Sequence, residues 1–158
     1  MPTNLYGPAD NYDLNNSHVL PALIRKMHEA KVVDAKEVVL WGSGTPKREF
    51  MYVDDLANAL VFLATLDDDR YDELVAPTVC PMINIGTGED GTIRELAETV
   101  AGVVGYSGQY IQDTSKPDGT MRKVLDVSRI QGLGWRAKTS LKDGISRTYE
   151  DYVLEMVE

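Results

Sequence analysis

The sequence predicts an α/β fold, because short runs of apolar and β-branched residues alternate with longer segments of helical periodicity. Glu37–Trp41 and Met82–Ile85 are predicted to be strands, and each is followed by a glycine-rich turn. Apolar residues recur at three- and four-residue spacing after Ser17, after Asp54 and after Thr92, which is typical of amphipathic helices. The 158 residues are enough for one domain with a hydrophobic core.

In the first half of the chain, a short strand end and a loop lead to Ser17, which we expect to cap a helix that runs to about Ala30. Pro21 falls in or near the first turn of that helix, where a missing N–H costs little. Glu49–Tyr52 is predicted to be a brief extended piece, and a second helix begins near Asp54. The apolar face of this second helix consists of Leu56, Ala57, Leu60, Val61 and Leu63.

In the second half, the acidic stretch Asp67–Asp72 is predicted to be a solvated loop. Thr92 and Glu95 have the spacing of a capping box, and they open a helix that ends near a glycine. Gln109–Gln112 is predicted to be a strand, and Ser140 opens the last helix. The buried stripe of that helix consists of Leu141, Ile145, Tyr149, Tyr152 and Val153.

Composition excludes several classes of protein. The formal net charge of −9 argues against general binding to nucleic acid or to an anionic membrane, so an anionic ligand requires a local cluster of positive side chains. No run approaches the roughly 18 apolar residues of a membrane helix, and no signal peptide is visible at the start. The single cysteine, Cys80, rules out an internal disulfide and a multi-cysteine metal site, which fits a reducing, cytoplasmic setting.

Four local patterns carry the functional information. They are Pro2-Thr3-Asn4-Leu5-Tyr6-Gly7-Pro8, Asn16-Ser17-His18, Trp41-Gly42-Ser43-Gly44-Thr45-Pro46-Lys47-Arg48-Glu49-Phe50 and Lys116-Pro117-Asp118-Gly119-Thr120. In this order they resemble the GDP-L-fucose synthases, a family of extended short-chain dehydrogenases/reductases, and the resemblance covers essentially the whole chain. Tyr52-Val53-Asp54-Asp55 and Asn84-Ile85-Gly86-Thr87-Gly88 are similar to segments that recur across extended short-chain dehydrogenases/reductases.

The resemblance implies an enzyme that converts GDP-4-keto-6-deoxy-D-mannose to GDP-L-fucose by epimerisation at C3 and C5 and reduction of the C4 ketone with NADPH. It implies that residues 1–158 form one GDP-sugar-binding domain, the C-terminal substrate-binding part of a Rossmann-type enzyme. The last sheet elements of the Rossmann domain are expected near the N-terminus. The N-terminal dinucleotide-binding region, with its Ser, Tyr, Lys and an epimerisation Cys, is expected to lie upstream. The chain alone is therefore expected to be inactive, and the full-length protein is expected to be a homodimer.

For catalysis and cofactor binding, the resemblance singles out the beginning of the chain. It implies that His18 is an acid in the epimerisation, and the positive end of a helix dipole favours release of a proton from an imidazolium at such a position. The residues alone leave open a histidine that only helps to cap its helix. The resemblance also implies that His18 and the strand end contact the nicotinamide end of NADPH, the latter through Pro2, Thr3, Asn4 and Leu5.

For substrate binding, the resemblance implies roles for Lys26, Trp41, Arg48, Lys116 and Asp118. Lys26 and Lys116 would bind the diphosphate, and Arg48 would bind the diphosphate or sugar hydroxyls. The indole would cover a base or sugar face, and Asp118 would accept hydrogen bonds from guanine or ribose. From the residues alone, ordinary core packing of Trp41 and a solvated loop at Lys116–Gly119 stay open. We expect the three cations and His18 to converge on one cleft.

Two further features have alternative interpretations. Gly86-Thr87-Gly88 could suggest phosphate binding, but Glu89 and Asp90 follow at once and would repel phosphate, so we expect a tight connection. Cys80 is expected to be structural. The functional alternatives are a nucleotide-sugar-binding module without activity of its own, and a related epimerase or dehydratase acting on another nucleotide sugar.

Overall fold

The computed structural model describes residues 1–76 and 82–155, so the expected structural role of Cys80 lies outside the described residues. Short strands and helices alternate in these ranges, and the predicted α/β class is confirmed. In chain order the elements are β1 (Asn4–Tyr6), α1 (Val19–Val32), β2 (Glu37–Trp41), β3 (Lys47–Arg48), β4 (Phe50–Tyr52), α2 (Val53–Ala64), α3 (Asp68–Val75), β5 (Gly91–Thr92), α4 (Ile93–Val104), β6 (Gln109–Asp113), β7 (Arg122–Lys123), α5 (Ser128–Gly132) and α6 (Leu141–Glu155).

The strands form three small groups, of which two are parallel pairs. β1 pairs with β4, and Pro2 bridges to Ile85 beside them. β2 pairs with β6 in the register that sets Glu37 beside Gln109 and Trp41 beside Asp113, so both strands end at the same edge. β3 joins β5 and β7 in a three-stranded group. Parallel strands require a crossover between them, and helices supply it here.

The larger core lies among α1, α4 and α6, where α1 packs against β2 and α6 packs against β4. Val38 and Leu40 of that strand point inward, whereas Val39 and Trp41 point out. The other members of this core include Leu20, Ile24, Met27, Leu96, Val100, Val104, Ile145 and Tyr152. A second, smaller core surrounds Met51, Ala59, Ile85, Val127, Ile130 and Trp135. The period of 3.6 in the helices and of 2 in the strand accounts for which residues are buried.

The start of α1 differs from the prediction. His18, not Ser17, is the N-cap residue, and its side chain makes no capping hydrogen bond. The Ser17 hydroxyl is buried and has no hydrogen-bond partner among the described residues. When two polar residues are adjacent, the sequence does not decide which of them is the cap residue. Here the amide of Ser17 donates to the carbonyl of Asp13 at 2.7 Å, within the turn that precedes the helix.

Two other local predictions were wrong, and one short helix was not predicted. The acidic stretch after α2 is helix α3, capped by Asp67, which accepts a hydrogen bond from the amide of Arg70. Residues Met82–Ile85 contribute a single bridge at Ile85 rather than a strand. The short helix α5 was not predicted, because it has little more than one turn and its one fully buried residue, Ile130, produces no periodic pattern.

Helix α2 buries only part of its apolar surface. Ala59 is fully buried, but Leu60 and Val61 are 53% and 63% exposed, respectively. None of the helices in residues 1–76 and 82–155 is long and apolar enough to cross a membrane. Because Leu60 and Val61 are exposed, this side of α2 is an apolar surface that a folded neighbour could cover.

The capping box of α4 gives a pH-dependent prediction. Oε2 of Glu95 accepts hydrogen bonds from the amide and the hydroxyl of Thr92, both at 2.8 Å, and these bonds lower the pKa of Glu95. A carboxylate whose pKa is lowered on folding stabilises the folded state at neutral pH, and this stabilisation is lost as the pH falls through the lowered pKa. We expect Glu95→Gln to lower the free energy of unfolding at pH 7.

The difference between wild type and Glu95→Gln should vanish in acid below the ordinary carboxyl range, when both side chains are neutral. Urea unfolding at a series of pH values measures this difference. Glu98→Gln, on the exposed side of the same helix, is the matched control and should change little. A Glu95→Gln effect that persists unchanged in acid would contradict the assigned role of the carboxylate charge.

Candidate functional site

The extended segment 47–52 organises the site because its side chains alternate between two sides. Arg48 and Phe50 line a cleft on one side. Glu49, between them, points the other way and is fully buried. Alternation with a period of two is the expected geometry of extended backbone.

The buried carboxyl group of Glu49 connects segments that are distant in sequence. Its Oε1 accepts hydrogen bonds from the amide of Gly88 at 2.9 Å and from the hydroxyl of Thr87 at 3.3 Å. Its Oε2 accepts one from the amide of Leu125 at 2.9 Å. The carbonyl oxygen of Glu49 accepts from Asn4 Nδ2 at 2.8 Å and from Thr3 Oγ1 at 3.3 Å. Glu49 therefore holds the end of β1 beside the cleft.

The first cleft has a volume of about 590 Å³ and collects five of the residues singled out in the sequence. These are Thr3, Asn4, Leu5, His18 and Arg48; Asp10, Val19, Leu20 and Phe50 complete the lining. Pro2 is not among the lining residues, because its backbone pairs with Ile85. Another cleft, of about 470 Å³, shares Arg48 and Phe50 and extends toward Thr92 and Ser140.

His18 lies at the N-terminus of α1 and lines the first cleft. The residue is exposed, with extended backbone at φ −70° and ψ 164°. Because its ring does not cap the helix, the side chain is available to a ligand in the cleft. The interpretation of His18 as a capping side chain is therefore wrong.

A smaller cavity, of about 280 Å³, adjoins the cleft of His18 and shares Val19 with it. Lys26 and Trp41 line it together with apolar residues, namely Leu14, Val19, Ala22, Leu23, Leu40 and Ile93. Trp41 is 60% exposed, so core packing does not explain it. An apolar slot that is lined by an exposed indole suits a flat ring.

Two ammonium groups flank the indole of Trp41. Lys26 Nζ lies 5.1 Å from the ring centroid and Lys116 Nζ lies 5.3 Å from it, both within the range of cation–π attraction. Lys26 Nζ also donates to the carbonyl of Val39 at 3.3 Å, and burial lowers the pKa of Lys26. In a chain of net charge −9 these groups form a local positive site, as an anionic ligand requires.

The register of the β2–β6 pair explains how Lys116 reaches Trp41. Because Trp41 lies beside Asp113, the turn after β2 and the segment after β6 leave the parallel pair at the same edge. The amide of Gly42 and the amide of Lys116 both donate to the carbonyl of Asp113, at 2.9 and 3.2 Å. Strand pairing therefore brings together two segments that the sequence separates widely.

Arg48 and Asp118 are also tied to this edge. Arg48 Nη1 donates to the carbonyls of Lys47, at 2.7 Å, and Thr120, at 2.5 Å. Asp118 accepts two hydrogen bonds from Ser43, which lies on the turn after Trp41. The Lys116–Gly119 segment is exposed, but its side chains have defined partners, so it is more than a solvated loop.

The glycine-rich turn after Ile85 binds a side chain of the protein itself. Gly86, Gly88 and Gly91 have the spacing G-x-G-x-x-G, a pattern that is typical of dinucleotide-binding turns. The turn instead surrounds the carboxyl group of Glu49, and a Cβ at Gly86 would collide with Glu49 Oε1. The amides that could bind a phosphate at such a turn are directed to a residue of the chain itself.

Sequence reasoning missed Glu49, Phe50 and Ser43. A signal existed for the first two, because the alternation Arg48, Glu49, Phe50 predicts opposite faces once Arg48 is placed at a ligand. No local signal marks Ser43, whose role depends on the approach of Asp118. Among the described residues, no group of three His, Cys, Asp or Glu side chains could hold a metal ion.

The α/β fold agrees with the comparison to known proteins. Residues 1–79 match the NAD dependent epimerase/dehydratase family. The chain belongs to that family.

Within the family, the predicted resemblance to GDP-L-fucose synthases is confirmed. The chain is 56% identical over 153 residues to GDP-L-fucose synthase 1 of Arabidopsis thaliana, covering 97% of this chain and 44% of that protein. It is 54% identical over 150 residues to the GDP-L-fucose synthase of Escherichia coli (strain K12), covering 95% and 46%. A crystal structure of a GDP-L-fucose synthetase from Naegleria fowleri bound to NADP has a TM-score of 0.83 at 27% identity, over 99% of this chain and 46% of that one. The chain thus spans less than half the length of these relatives.

Proposed function

We propose that this chain is the substrate-binding part of an NADPH-dependent epimerase/reductase that converts GDP-4-keto-6-deoxy-D-mannose to GDP-L-fucose. The observation that carries the proposal is the exposed indole of Trp41 between the ammonium groups of Lys26 and Lys116, next to the cleft of His18 and Arg48. A nucleoside diphosphate sugar needs a flat apolar slot, cations for two phosphates and a polar cleft for the sugar. The two adjoining cavities offer these features in that order.

In this proposal the guanine base lies in the cavity of Trp41, Leu23 and Ile93, and the diphosphate lies near Lys26 and Lys116. Arg48 has Nε and Nη2 without a hydrogen-bond partner in the described part of the chain, so these groups can donate to phosphate or sugar oxygens. The sugar then enters the cleft that Arg48 shares with His18. With the base, the diphosphate and the sugar arranged in this way, the reacting carbons of the sugar would lie beside the imidazole of His18.

His18 would act as an acid in the epimerisation. Its exposed ring lines the cleft and makes no capping hydrogen bond, so one ring nitrogen can hold a proton toward the sugar. NADPH would supply the hydride for reduction at C4. The backbone around Thr3, Asn4 and Leu5 fits its nicotinamide end, because the side chains of Thr3 and Asn4 are already occupied by the carbonyl of Glu49 and hold that backbone at the cleft wall.

The remaining functional groups belong to the portion of the relatives that this chain does not span. We propose that this portion supplies the dinucleotide-binding region and the Ser, Tyr and Lys for ketone reduction, and that it covers the exposed face of α2. A homodimer is part of the same proposal. The second candidate function is a nucleotide-sugar-binding module that has no turnover by itself, and it differs only in activity.

Two measurements on the purified chain test the proposal. Calorimetry should detect GDP and GDP-fucose binding to the folded chain, and UDP, which lacks the guanine base, is the matched control ligand. Absence of heat with GDP from a chain shown to be folded by circular dichroism would sink the proposed site. Equal affinity for UDP and GDP would contradict the base cavity.

Activity of the chain alone is a separate prediction. We expect no NADPH oxidation with GDP-4-keto-6-deoxymannose, because the acid that protonates the C4 oxygen is expected outside this chain. Adding the N-terminal half of a relative should restore oxidation, and His18→Asn should then impair product formation while leaving GDP affinity unchanged. Robust turnover by the chain alone would contradict this expectation.

A further inference from the structure

The carboxyl group of Asp118 connects the segment after β6 with the turn after β2. Its Oδ1 accepts a hydrogen bond from the amide of Ser43 at 2.9 Å, and its Oδ2 accepts one from the hydroxyl of Ser43 at 2.7 Å. The two residues are 75 positions apart in the sequence. These bonds lower the pKa of Asp118, so its carboxylate is the form that makes them.

The turn that receives Asp118 is built for a close approach. Gly42 has φ +77°, a conformation that favours glycine, and a Cβ at that position would collide with Asp118 Oδ1. Ser43 is held on its other side as well, because its carbonyl accepts from Gln112 Nε2 at 2.6 Å and its hydroxyl contacts Thr45 Oγ1 at 2.7 Å. Asp118 therefore binds to a fixed partner.

The consequence concerns Lys116, which lies two residues before Asp118. Residues 114–120 are all exposed, and no apolar packing fixes this segment. At the start of the segment the amide of Lys116 donates to the carbonyl of Asp113, and at its end the carbonyl of Thr120 accepts a hydrogen bond from Arg48 Nη1. Between these ends, the bonds of Asp118 to Ser43 set how the segment lies against Trp41.

We propose that Asp118 is a positioning residue that holds the Lys116 ammonium over the Trp41 ring by anchoring this segment to Ser43. This inference rests on the proposed function in one respect, since it takes Trp41 and Lys116 to be part of the nucleotide site. It differs from a direct contact of Asp118 with guanine or ribose. A direct contact predicts that Asp118 and Lys116 contribute to binding independently, whereas positioning predicts that the contribution of Lys116 depends on Asp118.

A measurement without ligand tests the positioning itself. Trp135 is 4% exposed and Trp41 is 60% exposed, so collisional quenching of tryptophan fluorescence reports mainly on Trp41. Iodide should quench well and caesium poorly, because two ammonium groups flank the ring. Lys116→Ala should shift the ratio of iodide to caesium quenching by about twofold toward caesium, as expected when one of the two local charges is removed.

Asp118→Ala should shift that ratio in the same direction although it removes a negative charge, and the double variant should behave like Asp118→Ala. Asp126→Ala is the matched control, because Asp126 is an exposed aspartate that likewise accepts from a serine amide, Ser128, at 2.9 Å. A shift toward iodide in Asp118→Ala, or no shift, would overturn the inference. Simple loss of a negative charge near the ring would give such a shift toward iodide.

GDP titration of wild type, Lys116→Ala, Asp118→Ala and the double variant is the second part of the test. Lys116→Ala should weaken GDP binding about fivefold, the upper range for an exposed ion pair, and Asp118→Ala should do the same. In the Asp118→Ala background, Lys116→Ala should have no further effect. Additive losses would show that Asp118 contacts the ligand itself and would overturn the inference. If wild type fails to bind GDP, the proposed function fails, and the quenching arm still decides whether Asp118 positions Lys116.

Discussion

Glu49→Ala is expected to lower the free energy of unfolding by about 3–5 kcal/mol, since it removes a fully buried carboxyl group and leaves the part-buried donors that bind to it without this acceptor. The donors are the amides of Gly88 and Leu125 and the hydroxyl of Thr87, all now bound to the fully buried carboxyl group. A loss of this size approaches the total stability of many small domains. Urea unfolding followed by the fluorescence of buried Trp135 measures it.

Glu150→Ala is the matched control for Glu49→Ala, because Glu150 is an exposed glutamate on α6. We expect a change within about 0.5 kcal/mol for this surface substitution. Glu49→Gln should fall between the two, since its amide oxygen can still accept while its NH₂ group faces a donor. A Glu49→Ala protein with the unfolding midpoint of wild type would show that water replaces the carboxyl group without cost, contrary to the expectation.

Arg48→Ala is expected to weaken GDP-sugar binding by about 10- to 100-fold, the effect of losing one charged hydrogen-bonding group at a phosphate. Arg48 lines the first cleft, and its Nη1 is braced by the carbonyls of Lys47 and Thr120. The side chain is therefore held in place before ligand arrives, so little entropy is lost on binding. Calorimetric titration with GDP-fucose gives the dissociation constant.

Arg136→Ala is the control for Arg48→Ala, because Arg136 is an exposed arginine that lines the neighbouring cleft but not the one with His18. It should leave the dissociation constant nearly unchanged. Arg48→Lys should recover only part of the affinity, because an ammonium cannot replace the forked donors. If Arg48→Ala and Arg136→Ala weakened binding equally, the effect would come from general charge, and the assigned contact would be wrong.

Helices with local signals were predictable to within a few residues. The capping box of Thr92 and Glu95 is present, and α4 ends next to Gly105. The strand Glu37–Trp41 has the predicted bounds. These successes have one cause: a cap, an apolar period and a glycine stop act between neighbours in sequence. The prediction at Ser17 was wrong because the amide of Ser17 belongs to the turn that begins at Asp13, and His18 is the N-cap residue.

Partners across long separations were not predictable in the same way. Glu49 is an acidic residue that follows Arg48 in a polar motif, yet its side chain is fully buried and accepts hydrogen bonds from the amides of Gly88 and Leu125. The bonds of both Asp118 carboxylate oxygens to Ser43 had no signal in the sequence either. The type of a polar residue shows which hydrogen bonds it can donate or accept, but its partner is known only once the chain has folded.

The amino-acid sequence by itself determined the family, the α/β class and the main helices, and it predicted which side chains bind a nucleotide sugar. The tertiary structure alone decided that Lys26 and Lys116 meet over one indole and that His18 and Arg48 share one cleft. The reason is geometric. The register of β2 beside β6 sets Trp41 next to Asp113, and residues far apart along the chain then leave the sheet at one edge.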